Sequence, residues 1–342
     1  MLNCRTVACY AVACVSALLG CSGSEEASSP EPTPHWLVDA PLSALPAKLS
    51  EVGIYAGSRV SAPLEPAVSY EPGYPLWSDG GQKFRSIVLP EGSHIDASDP
   101  QNYVFPLGTL IFKTFAFATP ESPDVSVPVE TRLLRLTDDG WELGAYGWDD
   151  SGSDAELLDL KRGQTREVLS DDGALVQHVI PSRLECRQCH ESSLSEVLGI
   201  NELQLAKSGS LNDVAARLMP APGPAPLALP AHGPLTTAAL GYFVGNCVHC
   251  HNGSNGAASS FDLRPDVAVG NVVDEPTASS ATADGIRVVP GEPEQSVLYL
   301  GVKGGTELEV KDMPPLGVAL RDENAVQMLG DWITALGNEQ DP

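Results

Sequence analysis

Cys186-Arg187-Gln188-Cys189-His190 divides this chain into two kinds of sequence, and a second pentad of the same form, Cys247-Val248-His249-Cys250-His251, lies downstream of it. Upstream, short apolar runs with β-branched and aromatic residues are cut by turn residues: Phe84–Leu89 between Gly80-Gly81 and Pro90, Tyr103–Phe117, Thr131–Leu136 ending at Asp138-Asp139-Gly140, and Trp141–Trp148. Such spacing predicts an antiparallel sandwich or barrel. From about Leu175 the pattern becomes helical. Leu211–Leu218 has one apolar face, Leu235–Val244 runs into the second pentad, and Asp322–Leu336 repeats Val326, Leu329, Ile333 and Leu336 at three- and four-residue spacing. Asp322 can cap that last helix and Gly337 can end it. The fold class expected is therefore α+β, an N-terminal β-rich, sandwich-like domain followed by a helical region that carries both pentads. The expected segments are 1–21 (leader), 22–35 (tether), 36–174 (β-rich), 175–233 (first pentad) and 234–342 (second pentad), with the Pro-rich stretch Pro220–Pro234 between the last two. Residues 252–290 hold few regular signals and read as loop, and Tyr74–Gly81 reads as a packed aromatic turn.

The pentads carry the chemistry. Covalent attachment of a haem needs two thiols that add across the porphyrin vinyl groups and an imidazole that reaches the iron from the same face. Cys-x-x-Cys on one helical turn, followed at once by His, places all three. The expected cofactors are thus two covalently bound haem c groups, held by Cys186 and Cys189 with His190 as iron ligand, and by Cys247 and Cys250 with His251. A four-thiolate zinc site is the competing reading. The 57 residues (190–246) between the two pairs exceed the usual ribbon spacing, and a four-Cys site does not require the two His. His249, inside the second pentad, reads as a bystander.

The opposite face of each iron needs a second ligand or stays open. Only four Met occur in the chain, and Met313 sits in the stiff Lys311-Asp312-Met313-Pro314-Pro315 segment, 62 positions (313 − 251) after His251. It is the expected distal ligand of the second iron, and a thioether there favours Fe(II). Around it, Phe243 precedes Cys247 by one helical turn, and Trp332 is a natural partner for the leading helix. For the first iron the favoured candidate is Met219, with His232, His178 or an open site as alternatives.

Eight cysteines are present: four in residues 1–21 and four in the pentads, so none is left for a structural disulfide. Arg5, the apolar stretch Val7–Leu19 and Leu18-Leu19-Gly20-Cys21 read as a bacterial lipoprotein signal with Cys21 as the lipidated residue; an uncleaved anchor or cleavage without lipid are the alternatives. The polar, Pro-rich Ser22–Pro34 reads as a tether. The expected location is the bacterial cell envelope, facing the periplasm or exterior, with the outer membrane favoured. With 20 basic against 45 acidic residues, a net charge of −25, nucleic acid is excluded as a natural partner and redox proteins with basic docking surfaces are favoured.

On Tyr74–Gly80, Phe105-Pro106-Leu107-Gly108-Thr109, Glu130–Leu134, Pro181-Ser182-Arg183 with the first pentad, and Asn246 with the second, the chain resembles a group of bacterial dihaem c-type cytochromes of poorly defined role. The resemblance covers most of the chain beyond the leader. Val289–Pro293, Met313-Pro314-Pro315 and Trp332-Ile333 are similar to the tail of class I cytochrome c domains. What the resemblance implies is extracytoplasmic electron transfer. The alternative is a haem oxidoreductase, such as a dihaem peroxidase, with an open first haem.

Overall fold

A computed structural model describes residues 44–254, 261–277, 285–305 and 310–338. The fold is built on a mostly antiparallel sheet with helices after it, so the α+β class holds. Its strands are β1 (Val68–Ser69), β2 (Gln82–Val88), β3 (Ile95–Asp96), β4 (Leu110–Thr119), β5 (Ser122–Thr137), β6 (Gly140–Trp148), β7 (Ala155–Leu157), β8 (Gln164–Leu169), β9 (Leu175–Ile180) and β10 (Leu218–Met219). The helices are α1 (Arg183–His190), α2 (Glu202–Ser208), α3 (Leu211–Val214), α4 (Pro234–Asn246), α5 (Ala268–Val272), α6 (Val297–Lys303) and α7 (Glu323–Gly337).

The strands join as β1-β2-β4-β5-β6-β7, and the β8–β9 hairpin attaches to the end of β4 through Ala118 and Leu169. Among the described residues this is one connected sheet of eight strands, where a sandwich or barrel was expected. The reason lies in β4. Leu110 and Phe112 pack on one face with Leu49, Ile54, Leu133 and Tyr146. Ile111 packs on the other with Ile87, Leu134, Leu205 and Leu211. A strand covered on both faces reads as a continuous apolar run, and the covers are irregular chain on one side and the α2–α3 region on the other.

The helical pattern expected from Leu175 begins at Arg183 instead, because Leu175–Ile180 alternates exposed and buried positions as strand β9. The helix expected over Leu211–Leu218 is one short turn of α-helix, a 3-10 turn at Ala215–Arg217, and strand from Leu218. In the stretch read as loop, α5 forms over Ala268–Val272. The last helix forms as read: the Asp322 carboxylate accepts from Ala325 N–H, although Gly337 is its final residue and Asn338 follows as the cap. Trp332 is fully buried, edge-on to Phe243 with ring centroids 5.8 Å apart, and its indole N–H donates to Thr236 Oγ1 at 2.9 Å. These contacts join α4 to α7.

Tyr74–Gly81 does more than turn. Asn246 Oδ1 accepts from Trp77 N–H, Leu320 O accepts from the Trp77 indole, and Asp79 Oδ1 accepts from both Ala319 and Leu320 N–H. The loop thereby ties the sheet to the chain on either side of the second pentad. Gly245 makes this possible: a Cβ there would lie 2.7 Å from Tyr74 O and 2.8 Å from Pro75 O. Because both obstacles are backbone, Gly245→Ala is expected to lower stability by about 1–3 kcal/mol, the usual cost of overpacking. Denaturant unfolding checks this, and a loss under about 0.5 kcal/mol refutes it.

Candidate functional site

The first pentad lies on α1. Ser182 caps the helix reciprocally: its hydroxyl accepts from Glu185 N–H, and Glu185 Oε2 accepts from Ser182 N–H. This lets a helix start directly after Pro181. Three residues apart, Cys186 and Cys189 share a helix side, and His190 ends the helix. The His190 Nδ1–H donates to Glu196 O at 2.6 Å. A carbonyl can only accept, so the other ring nitrogen, Nε2, keeps its lone pair. Desolvation lowers the His190 pKa to about 4, which holds the ring neutral. A neutral imidazole with one nitrogen bonded to a carbonyl and the other free is the form in which histidine ligates a metal.

The second pentad follows α4. Cys247 is its C-cap, and Cys247 O accepts from both Cys250 and His251 N–H, so the five residues make one helical turn. The His251 ring lies 4.4 Å from that of Phe261, and desolvation lowers its pKa. Its buried Nδ1 has no hydrogen-bond partner among the described residues.

The two pentads meet. Cys189 Sγ, a His249 ring nitrogen and Cys250 Sγ all lie within 4.8 Å of one another. Buried Asn252 reinforces the contact by donating to Ser192 O at 2.9 Å. All four pentad cysteines are free thiols. The proximity of the two sulfurs acts in opposite senses: with desolvation it pushes the Cys189 thiol up to about 12, and it lowers that of Cys250. Burial alone raises Cys247 to about 12. His249, read as a bystander, thus lies beside a cysteine of each pentad. The donor set fits a c-type haem at each pentad: two unpaired thiols one turn apart, then a neutral imidazole.

The other sequence-derived candidates are more dispersed. Met313 N–H donates to Gly301 O of α6, and the half-buried side chain lies against that glycine. Met219 is 57% exposed and lines a shallow hollow with His94, Ile95, Asp96, Ser98 and Pro220, to which no pentad residue contributes. His232 is exposed. Cys21 lies outside the described residues.

His178 belongs to a cluster that sequence reading missed. Its Nε2 lies 3.2 Å from Glu130 Oε2, and its Nδ1 lies 3.7 Å from Asp79 Oδ2. Glu130 also accepts two bonds from Arg132, Nε at 2.6 Å and a terminal nitrogen at 3.0 Å. Glu130, His178 and Asp79 are all buried. Desolvation pushes the Glu130 carboxyl up, but Arg132 and His178 outweigh it and hold the pKa below the usual value. Desolvation pushes His178 down, but the nearby Asp79 and Glu130 carboxylates outweigh it and raise the imidazole. The signal available in sequence was parity: Glu130 and Arg132 are two apart on one strand and so share a face.

Comparison of the chain with protein-family models, with curated proteins and with solved structures finds no match.

Proposed function

We propose that this chain is a dihaem c-type cytochrome of the bacterial envelope, lipid-anchored through Cys21, that passes electrons between redox proteins. The observation that carries the reading is the pair of pentads brought together at Cys189 and Cys250, each with a neutral histidine poised at its end. A bound haem supplies a one-electron iron couple. The chain does the rest. Cys186 with Cys189, and Cys247 with Cys250, hold the porphyrins as thioethers. His190 and His251 offer imidazole nitrogen to iron, His190 oriented by Glu196 O. The contact between Cys189 and Cys250 makes the two attachment points adjoin, which suits a relay. Met313 is the proposed distal ligand at the second pentad; Met219, the candidate for the first, lies exposed in a hollow that no pentad residue lines and does not support that role. The net charge of −25 favours encounter with basic partners.

Among the described residues no helix is long and apolar enough to cross a membrane, and the proposed membrane attachment rests on Cys21 alone. A second reading is favoured by the same contact: Cys189, His249 and Cys250 offer three donors to one ion, and three protein ligands with an open position is a zinc pattern.

The test is the haem content of the full chain expressed with a cytochrome maturation system. A pyridine haemochrome assay is expected to return two haems per chain, and Met313→Ala is expected to open one iron to carbon monoxide. No covalent haem, with stoichiometric zinc, establishes the second reading instead. Carbon monoxide binding by the unaltered protein supports the haem oxidoreductase alternative, in which the first iron is open.

A further inference from the structure

Met313 opens a stretch without regular secondary structure that runs to Leu320, shortly before α7 begins. Pro314 and Pro315 have no N–H to donate, so this stretch has little means of bonding to itself. Its hydrogen bonds to the described residues lie at its two ends. At the first, Met313 N–H donates to Gly301 O of α6 at 2.8 Å. At the second, the partners come from the loop that leads into β2. Asp79 Oδ1 accepts from Ala319 N–H and from Leu320 N–H, each at 2.8 Å. The Trp77 indole N–H donates to Leu320 O at 2.7 Å. The Leu320 side chain packs against the apolar cluster of the sheet that holds Phe115 and Phe117.

Asp79 does more here than its turn requires. It is buried and holds a φ of 54°, in the left-handed region that side chains disfavour. A glycine would take this conformation without strain, so the carboxylate needs a reason of its own. Its Oδ1 takes both bonds from the Ala319–Leu320 backbone. Its Oδ2 is buried without a hydrogen-bond partner among the described residues and lies 3.7 Å from His178 Nδ1. The same loop also reaches the chain before the second pentad, because Trp77 N–H donates to Asn246 Oδ1 at 2.7 Å and Asn246 precedes Cys247. Trp77 and Asp79 therefore hold both the approach to Cys247 and the exit from Met313.

We propose that Trp77 and Asp79 are positioning residues for Met313, clamping the far end of the Met313–Leu320 stretch to the sheet and so keeping the thioether at the iron of the second pentad. This rests on the dihaem reading with Met313 as distal ligand. An irregular stretch fixed at one end samples many backbone states. Each state that carries the thioether away leaves the iron open, and effective ligation falls with the fraction of competent states. Fixing the second end removes those states. The sheet thereby acquires a part in the redox site: it sets how firmly one iron is closed, while contributing no ligand to it.

The experiment combines carbon monoxide titration, potentiometry and hydrogen exchange at the Ala319 and Leu320 amides, all on the full holoprotein. The unaltered chain is compared with Met313→Ala, Asp79→Gly and Asp79→Asn. Fewer than two haems in the unaltered chain overturns the dihaem reading. Two closed irons in Met313→Ala overturn the ligand assignment. The proposal falls with either, and both results are distinct from failure of the clamp itself. Where both readings hold, Asp79→Gly removes the acceptor and relieves the backbone. It is expected to speed exchange at the two amides about tenfold, the effect of losing one hydrogen bond to a charged group. Carbon monoxide affinity is expected to rise by about the same tenfold factor at the haem that Met313→Ala opens. That haem's potential is expected to fall, because weaker thioether ligation favours Fe(III), while the other haem stays unchanged. Asp79→Asn keeps an accepting Oδ1 and is expected to match the unaltered protein. Leu133→Ala cuts the core on the opposite face of the sheet, so it is expected to lower stability and leave both haems unchanged. Unchanged exchange or unchanged carbon monoxide binding in Asp79→Gly overturns the proposal. So does an equal opening in Asp79→Asn or in Leu133→Ala. If Asp79→Gly does not accumulate, Trp77→Phe, which removes only the bond to Leu320 O, is expected to give a smaller rise at the same haem, and no rise overturns the proposal.

Discussion

Glu130→Gln is expected to destabilise the folded chain by about 3–5 kcal/mol near neutral pH, the cost of removing one partner from a buried ion pair. Glu130 is fully buried, Arg132 grips it with two bonds, and His178 Nε2 lies 3.2 Å away. A glutamine keeps the shape but loses the charge, so the Arg132 guanidinium would be left without its counter-charge in a site that water cannot repair, and the His178 ring would face a neutral amide. The pH dependence follows from the two shifts. The Glu130 pKa is lowered on folding, so its contribution is complete above the unfolded carboxyl value and disappears as pH falls through the folded one. The His178 pKa is raised, so its contribution is complete below the unfolded imidazole value and disappears as pH rises through the folded one. The unaltered protein is therefore expected to be most stable between the two, and the variant to lose much of both limbs. Urea unfolding across a pH series, followed by circular dichroism, reads both effects. A loss below about 1 kcal/mol with an unchanged pH profile would remove the cluster from the stability argument.

The elements most legible in the sequence were those whose signal is local. The last helix declares itself through Asp322 at the cap and Leu329, Trp332 and Ile333 on the buried side. The strands β2, β4, β5 and β6 are marked by β-branched and aromatic runs between turns. β9 was misread although its alternation is plain in the structure, with Val176, His178 and Ile180 buried. One of its inward positions is a histidine, so a hydrophobic-pattern reading breaks where an ion cluster replaces an apolar contact. Long-range features were invisible for a different reason. Asp79 and Leu320 are 241 positions apart, and only the completed fold brings them into contact. Likewise, the pentads were readable one by one, but nothing in their spacing said that Cys189 and Cys250 would touch.

That contact also separates the two readings of the site through the second large expected effect. Cys186→Ser/Cys189→Ser and Cys247→Ser/Cys250→Ser each disable one pentad. If each pentad holds its own haem, either double variant is expected to retain one haem per chain, half the unaltered content, because the thiols and histidine of the other pentad are intact. The remaining haem should differ between the two variants in potential, since His190 of the first pentad faces Leu134, Trp141 and Leu143 of the sheet and the second pentad lies beside α4 and Phe261. A single ion at Cys189, His249 and Cys250 behaves in the opposite way: its ligands come from both pentads, so either variant removes a ligand and the metal content of both falls towards zero. Independent halves and shared loss cannot both occur. Haemochrome and elemental analysis of the two purified variants, each normalised to folded protein by circular dichroism, therefore decide between them. Retention of half the haem in each is the result that upholds a dihaem chain, and complete loss of bound metal from both is the result that ends it.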